Sequence, residues 1–222
     1  MARLTRSFFA RSSVEVAPAL IGTRLVRRLE DGTLLSGVIV EVEAYIGPQD
    51  RASHAYAGRR TARNEAMYSS PGTSYVYFTY GMHYCFNAVC ASEGVPEAVL
   101  IRALEPDPDS LALMRRNRHV EAEHLLCSGP GRLCQAMEIN RGLNGIDLCT
   151  SDALWLASGG SRPRQRPRRI VRSPRIGIDS AGAWARRLLR WADAESRHIS
   201  KPADGKRSVR ARDEGTKNRK PT

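Results

Sequence analysis

Val38-Ile39-Val40-Glu41-Val42-Glu43 is the stretch on which the reading of this chain turns. Side chains alternate across a β-strand, so residues two apart share a face. Val38, Val40 and Val42 then suit a core, and Glu41 and Glu43 share the opposite face, followed by Tyr45 if the strand continues. The two carboxylates would stand roughly 6.6 Å apart at their Cα atoms. Such a pair can split its pKa values and serve acid–base chemistry. The commoner reading of glutamates at this spacing is an antiparallel strand with one solvated face.

Working outward, Ser13 reads as the N-cap of a helix over residues 14–21 that stops at Gly22 and is shortened or kinked by Pro18. Residues 23–29 and 33–43 read as strands joined by Glu30-Asp31-Gly32, a hairpin signal. Residues 47–73 show no clean periodicity and are expected to form a long ordered loop with a helical turn, the kind of segment that tends to carry function. Pro71-Gly72 opens a second strand pair, 74–79 and 83–90, with Tyr80-Gly81-Met82 as a tight turn. A further strand covers 98–104. Residues 110–116 and 133–139 read as helical, the second entered through Ser128-Gly129-Pro130-Gly131. Residues 153–156 and 176–178 read as short strands, and 184–191 as either an amphipathic helical turn or a closing strand.

The bulk numbers bound the class. A chain of 222 residues with 41% hydrophobic and 26% charged residues suits one globular domain, here 1–200. It has no apolar run of 18 residues, and its basic N-terminus is followed only by Phe8-Phe9-Ala10 before Arg11, too short for a signal-peptide core. A cytoplasmic monomer without membrane contact is the expectation. The five cysteines form no C-x-x-C pair, and no His/Cys set has ligand spacing, so reduced thiols and no metal or other cofactor are expected.

The net charge of +12 is unevenly spread. From Arg162 onward there are 19 basic and 6 acidic residues, against 16 and 17 in residues 1–161. Nucleic acid is the obvious anionic partner for such an excess; a solvated basic tail that aids solubility is the plainer reading. Residues 162–169 alternate Arg, Pro and Gln and read as an exposed loop; residues 201–222 hold eight basic and three acidic side chains with almost nothing apolar, and should be disordered. The four lysines are Lys201, Lys206, Lys217 and Lys220, so no Schiff-base lysine is available to the core.

Four of the seven tyrosines, Tyr75, Tyr77, Tyr80 and Tyr84, fall within ten residues. Strand aromatics are often core or cross-strand pairs, but an apolar Tyr-Gly-Met tip is also a way to wedge between DNA bases, and flat phenol rings suit a flipped base. His83, His119, His124 and His198 read as surface or satisfied core, and His54, alone, as structural. Asn87 and Arg102 sit among apolar strand neighbours and need partners; Arg102 could pair with Glu41 or Glu43.

Glu41-Val-Glu-Ala-Tyr-Ile-Gly-Pro-Gln-Asp50, Arg59-Arg-Thr-Ala-Arg-Asn64 and Pro71-Gly-Thr-Ser-Tyr-Val-Tyr-Phe-Thr-Tyr-Gly-Met82, followed by Leu100-Ile-Arg-Ala-Leu-Glu-Pro106, Leu126-Cys-Ser-Gly-Pro-Gly-Arg-Leu-Cys-Gln135 and Arg175-Ile-Gly-Ile178, resemble the alkyladenine (3-methyladenine) DNA glycosylase family in order and spacing over residues 8–191. The resemblance implies a single compact mixed α/β (α+β) domain around a curved antiparallel sheet with a protruding β-hairpin. It implies a repair enzyme that flips an alkylated or deaminated purine from double-stranded DNA and hydrolyses its bond to the sugar, leaving an abasic site without cutting the strand. By the same resemblance Glu43 is the general base for the attacking water, held with the help of Arg102 and the backbone carbonyl of Ile176. Tyr45, His54 and Tyr77 would sandwich the flipped purine, Tyr80 would fill the gap in the stack with Met82 beside it, Asn87 would crowd the exocyclic amine of guanine, and backbone groups near Ala52 and His54 would read the purine edge. Glu41 could tune Glu43 but is not catalytic in the family pattern. The segment Leu188-Leu-Arg-Trp191-Ala192 departs from the family's usual ending and leaves the closing strand open. Two other readings stand beside this one: a non-catalytic nucleic-acid binder using the same tyrosine wedge and basic surface, which would need neither Glu43 nor Arg102, and a metal-dependent hydrolase built on His54 and the glutamates, which lacks ligand spacing.

Overall fold

A computed structural model of the chain describes residues 2–159 and 169–203. The Arg/Pro stretch, apart from Arg169, and the basic tail beyond Ala203 lie outside the described residues. Within them the strands are β1 (Arg24–Arg28), β2 (Leu34–Tyr45), β3 (Ser74–Thr79), β4 (His83–Cys90), β5 (Glu97–Pro106), β6 (Leu154–Ala157), β7 (Ile170–Ser173) and β8 (Arg190–Asp193). They form a curled antiparallel sheet in the order β3-β4-β5-β2-β1-β6, with β8 also on β2 and β7 on β8. Helices α1 (Arg6–Phe9), α2 (Ser13–Leu20), α3 (Leu111–Arg118), α4 (Glu123–Leu126) and α5 (Pro130–Ala136) complete the expected mixed α/β domain. No described helix is long and apolar enough to cross a membrane.

The twelve-residue β2 is the pivot. Its first half pairs with β1, from Leu34 with Arg28 to Val38 with Arg24. Its second half pairs on that edge with β8, where Glu41 faces Ala192 and Glu43 faces Arg190. Its other edge pairs throughout with β5, from Gly37 with Pro106 to Tyr45 with Ala98. One strand serves two neighbours in turn, which requires the sheet to bend.

The bend corrects the alternation read from the sequence. Ile39 pairs with Leu104 but Glu41 with Ala103, so Val40 is an extra residue in β2; Val42 then pairs with Ile101, so Arg102 is the extra residue in β5. The two irregularities cancel in register and reverse which side chains face the core, as bulges do. Leu35 and Ile39 lie in the core before the bulge, Val42 and Ala44 after it, and Val38 is only half-buried. Glu41 and Glu43 do not lie on a solvated face: both are 0% exposed.

Other elements shift for local reasons. The cap of α2 is Ser12, whose amide and hydroxyl donate to Glu15 (3.2 and 2.5 Å), and Ser13 turns inward to donate from its amide and hydroxyl to Glu97 on β5 (2.7 and 2.8 Å). The helix is short, as Pro18 suggested. α5 starts at Pro130, three residues earlier than read, because Gly129 supplies the turn into a helix with proline in its first position. The loop over 47–73 contains three 3₁₀ turns, Gly47–Gln49, Tyr56–Gly58 and Glu65–Tyr68. Residues 176–178 are not a strand: Pro174 ends the run of β7, and Gly177, at φ +76°, bends the chain. Both alternatives for 184–191 are realised in part, a 3₁₀ stretch Asp179–Arg186 followed by β8, so the departing Leu188–Trp191 segment still supplies a closing strand.

The principal core joins Phe9, Leu20, Leu25, Leu35, Ile39, Phe86, Ile101, Leu104, Leu133 and Trp191. A smaller cluster of Ala55, Met67, Tyr75, Val89 and Ala98 holds the long loop down on the sheet. At Gly37 the β2–β5 crossing is tightest: a Cβ there would stand 2.9 Å from the Glu105 carbonyl oxygen and 3.2 Å from Leu104 Cβ. Gly37→Ala should therefore cost about 1–3 kcal/mol and lower the thermal midpoint by roughly 2–4 °C per kcal/mol in a domain of this size. An unchanged melting curve would show that the strands can part there without cost.

Candidate functional site

The paired irregularities bring four buried charges together. Glu41 accepts from Arg102 Nε (3.0 Å), Arg190 Nε (2.7 Å), the Ser200 amide (2.5 Å) and the Ser200 hydroxyl (2.7 Å). Burial alone would raise the Glu41 pKa, but Arg102, Arg190 and the two Ser200 donors bring it below the usual carboxylate value. Glu43 accepts from the Ile176 amide at Oε1 (2.8 Å) and from the Tyr45 hydroxyl at Oε2 (3.0 Å), and its Oε2 is ion-paired with Arg102 Nη1 (3.2 Å). Arg102 thus spans both carboxylates, and they push its pKa up against the opposing effect of burial. Tyr45 is held well above the ordinary tyrosine value by burial and by the charge of Glu43, so its hydroxyl keeps its proton and donates.

A second buried pair anchors the loop. Arg175 donates to both oxygens of Asp50 (2.5 and 2.8 Å) and to the Ala44 carbonyl (3.0 Å), and its guanidinium lies 4.6 Å from the centre of the Tyr45 ring. Asp50 in turn accepts from the Ala52 amide (3.0 Å). The ion pair fixes Tyr45, residues 50–52 and the Ile176 bend against one another.

These elements enclose a cavity of about 230 Å³, smaller than the roughly 300–1,000 Å³ of a drug-sized site. Tyr45, Ala52, His54, Tyr77, Tyr80, Asn87, Arg102 and Ile176 all line it, with Met67, Tyr75 and Cys85 among their neighbours. Glu43 does not line it and stands behind Tyr45, Arg102 and Ile176; Met82 lies outside, on the hairpin tip. His54 Nδ1 and the Tyr75 hydroxyl share a hydrogen bond of 2.7 Å, and the His54 ring meets Tyr77 edge-on with centroids 4.6 Å apart. Asn87 Nδ2 donates to the Tyr75 carbonyl (3.0 Å) and is thereby fixed in the cavity floor. At the mouth the three-residue turn of the β3–β4 hairpin presents Tyr80, 81% exposed at φ +52°, and Met82, 69% exposed. Among the described residues no group of three His, Cys, Asp or Glu side chains is placed to hold a metal ion.

Sequence reasoning missed the groups that do not touch the cavity: Asp50, Arg175, Arg190 and Ser200. Arg175 and Arg190 belong to the basic excess of the last third, yet both are buried in ion pairs and add nothing to a surface field. The available signal was weak. Arg175 adjoins the Ile176-Gly-Ile178 motif, and Arg190 sits among apolar residues in a closing strand, as Arg102 does in its own.

The model of the methylpurine-DNA glycosylase (MPG) family matches residues 7–197. The chain is 44% identical over 200 residues to human DNA-3-methyladenine glycosylase, covering 86% of this chain and 65% of the human protein. It spans 58% of the mouse protein of the same name, again at 44% identity. A Desulfitobacterium hafniense relative that carries 3-methyladenine DNA glycosylase as a provisional name is 48% identical over 189 residues, covering 82% of this chain and 90% of that protein.

His54 makes the site sensitive to acid. Burial, then the charges of Arg63 and Arg59, bring its pKa down to about 4. As pH falls below the unfolded histidine value of about 6.5, the unfolded chain takes a proton that the folded one refuses, so stability drops between about pH 6.5 and 4, by at most about 3 kcal/mol. An NMR titration should find the His54 imidazole neutral at pH 5.5, and His54→Gln should lose less stability than the wild type between pH 7 and 5.5. A His54 midpoint near 6.5 would contradict the packing described.

Proposed function

This chain belongs to the methylpurine-DNA glycosylase family, and from that premise we propose that it is a DNA-repair N-glycosylase: it flips an alkylated or deaminated purine out of a duplex and hydrolyses the bond from its N9 to the sugar. The observation that carries the reading is a base-sized aromatic cavity backed by a buried glutamate that three donors hold in place.

Each part has a physical task. A ring held between two others needs roughly 7 Å, two contacts of about 3.5 Å. His54 and Tyr77 touch each other and so form one wall, which leaves Tyr45, braced by Arg175, for the opposite face of the purine. A cationic alkylated ring gains from such aromatic faces, and a neutral His54 adds no repelling charge. Tyr80 fills the space vacated in the base stack, with Met82 beside it, as apolar wedges do. Asn87 crowds a purine that carries an exocyclic amine at that edge, and the backbone near Ala52 and His54 reads the remaining edge.

At the bond to be broken, a carboxylate has about four acceptor positions. Glu43 Oε2 accepts from the Tyr45 hydroxyl and is ion-paired with Arg102, and Oε1 accepts only the Ile176 amide among the described residues, so Oε1 keeps a lone pair for a proton of water. The water oxygen attacks C1′, the C1′–N9 bond breaks with its electrons leaving on the base, and Glu43 takes the proton. As C1′ gains positive charge the carboxylate also stabilises it. With no lysine among residues 1–200, the chain offers no core amine for a Schiff base, and the product is an intact strand with an abasic site.

Glu43→Gln should bind a lesion-bearing duplex as the wild type does and release base at least about 100-fold more slowly, in EDTA, on duplexes carrying a single hypoxanthine, 1,N6-ethenoadenine or 7-methylguanine. Full activity in that variant removes the assigned base. Tyr80→Ala should weaken capture of the flipped base in the same assay, and unchanged kinetics would remove the wedge. Deleting residues 204–222 takes away seven basic and three acidic side chains; it should leave the thermal transition in place and reduce the slope of log Kd against log salt. An identical slope would show that the tail makes no phosphate contacts.

A further inference from the structure

We infer that Glu41, Arg190 and Ser200 are positioning residues: together they fix the Arg102 guanidinium against the Glu43 carboxylate. The inference rests on the reading of Glu43 as the general base, and it assigns work to three side chains that do not line the cavity.

Arg102 is held at each of its nitrogens: Nε to Glu41 (3.0 Å), Nη2 to the Ser200 hydroxyl (3.4 Å) and Nη1 to Glu43 (3.2 Å). Two of the three contacts serve only to orient the third. Glu41 would be free to swing if it met Arg102 alone, but Arg190 and Ser200 hold it from β8 and from the segment that follows. Arg190 is itself fixed, donating to the Ser173 hydroxyl (2.9 Å) and to the Lys201 carbonyl. The chain therefore returns 159 residues after Glu41 to close a network around the residue beside the proposed base.

Stability is a poor reason for such a cluster. Burying two carboxylates and two guanidiniums carries a large desolvation cost, and packed apolar side chains of similar volume often do as well or better. A cluster that holds one guanidinium in one orientation beside a reacting carboxylate has a use that apolar packing lacks. It also sets the charge there. Glu43 is faced by Arg102 from β5, Tyr45 from its own strand, the Ile176 amide, Cys85 from β4, and Arg190 opposite it in β8. Glu41 shares the Arg102 guanidinium and so limits how strongly it acts on Glu43.

The test is single-turnover base excision by the full chain, from pH 5 to 9, on whichever of the three lesion duplexes the wild type cleaves, with duplex Kd and thermal midpoint measured in parallel. Glu41→Gln should slow excision about 100-fold, the cost of a roughly 1 Å misplacement at a reacting group, with Kd little changed. Ser200→Ala should be about 10-fold slow and Ser200→Thr close to wild type. A purely structural cluster would lower the thermal midpoint and leave the single-turnover rate of the folded protein in place, and this result overturns the inference. So do wild-type rates in Glu41→Gln and Ser200→Ala beside an inactive Glu43→Gln. If Glu41→Gln does not fold, Ser200→Ala, which deletes one oxygen, decides. Full activity in Glu43→Gln would instead bring down the functional reading on which the inference stands.

Discussion

Val40 and Arg102 are each one residue too many for the ladder between β2 and β5, and the two excesses cancel. Between them lies the single pair Glu41–Ala103, and beyond it Val42 and Ala44 take the core-facing side, with Glu41 and Glu43 on the other and register kept on either side. Had the strands paired regularly, Glu41 would stand directly opposite Arg102 but would follow Leu35 and Ile39 toward the apolar core. Bulges occur next to functional sites because they re-aim side chains at little cost to the surrounding ladder. Here the surrounding ladder is the longest strand in the sheet, paired on both edges, so the distortion is held from every side.

The charges behind the cavity are balanced pair by pair. Glu41 and Glu43 are matched by Arg102 and Arg190, and Asp50 by Arg175. An unpaired ion in such surroundings would change its protonation state instead of persisting. Because each is paired, the cavity in front of them can remain lined by aromatic rings and a neutral imidazole. The Arg175–Asp50 bridge has a further consequence: it ties the loop after β2 to the bend after β7, so that Tyr45 and Ala52 are held against Ile176 as one wall.

Much of the fold was legible locally. The β3–β4 hairpin and its Tyr80-Gly81-Met82 turn follow from alternation and turn chemistry. α2 was recognisable but misplaced by one residue at its cap, since Ser12 and Ser13 are both good caps and only the presence of Glu97 decides which turns inward. The solvated-face reading of Glu41 and Glu43 failed because strand periodicity says which residues share a face and not what covers that face. The cover comes from Arg102, β8 and Ser200, none of them near in sequence.

The sequence by itself determined the family pattern and the strand and hairpin content. These depend on short-range chemistry: alternation, turn-forming residues, and motifs in fixed order. Only the tertiary structure decided that the two glutamates are buried, that Arg175 and Arg190 belong to the site and not to a basic surface, and that Ser200 closes the network. The physical reason is that a buried charge is defined by its partners, and here the partners lie between 60 and 160 residues away along the chain.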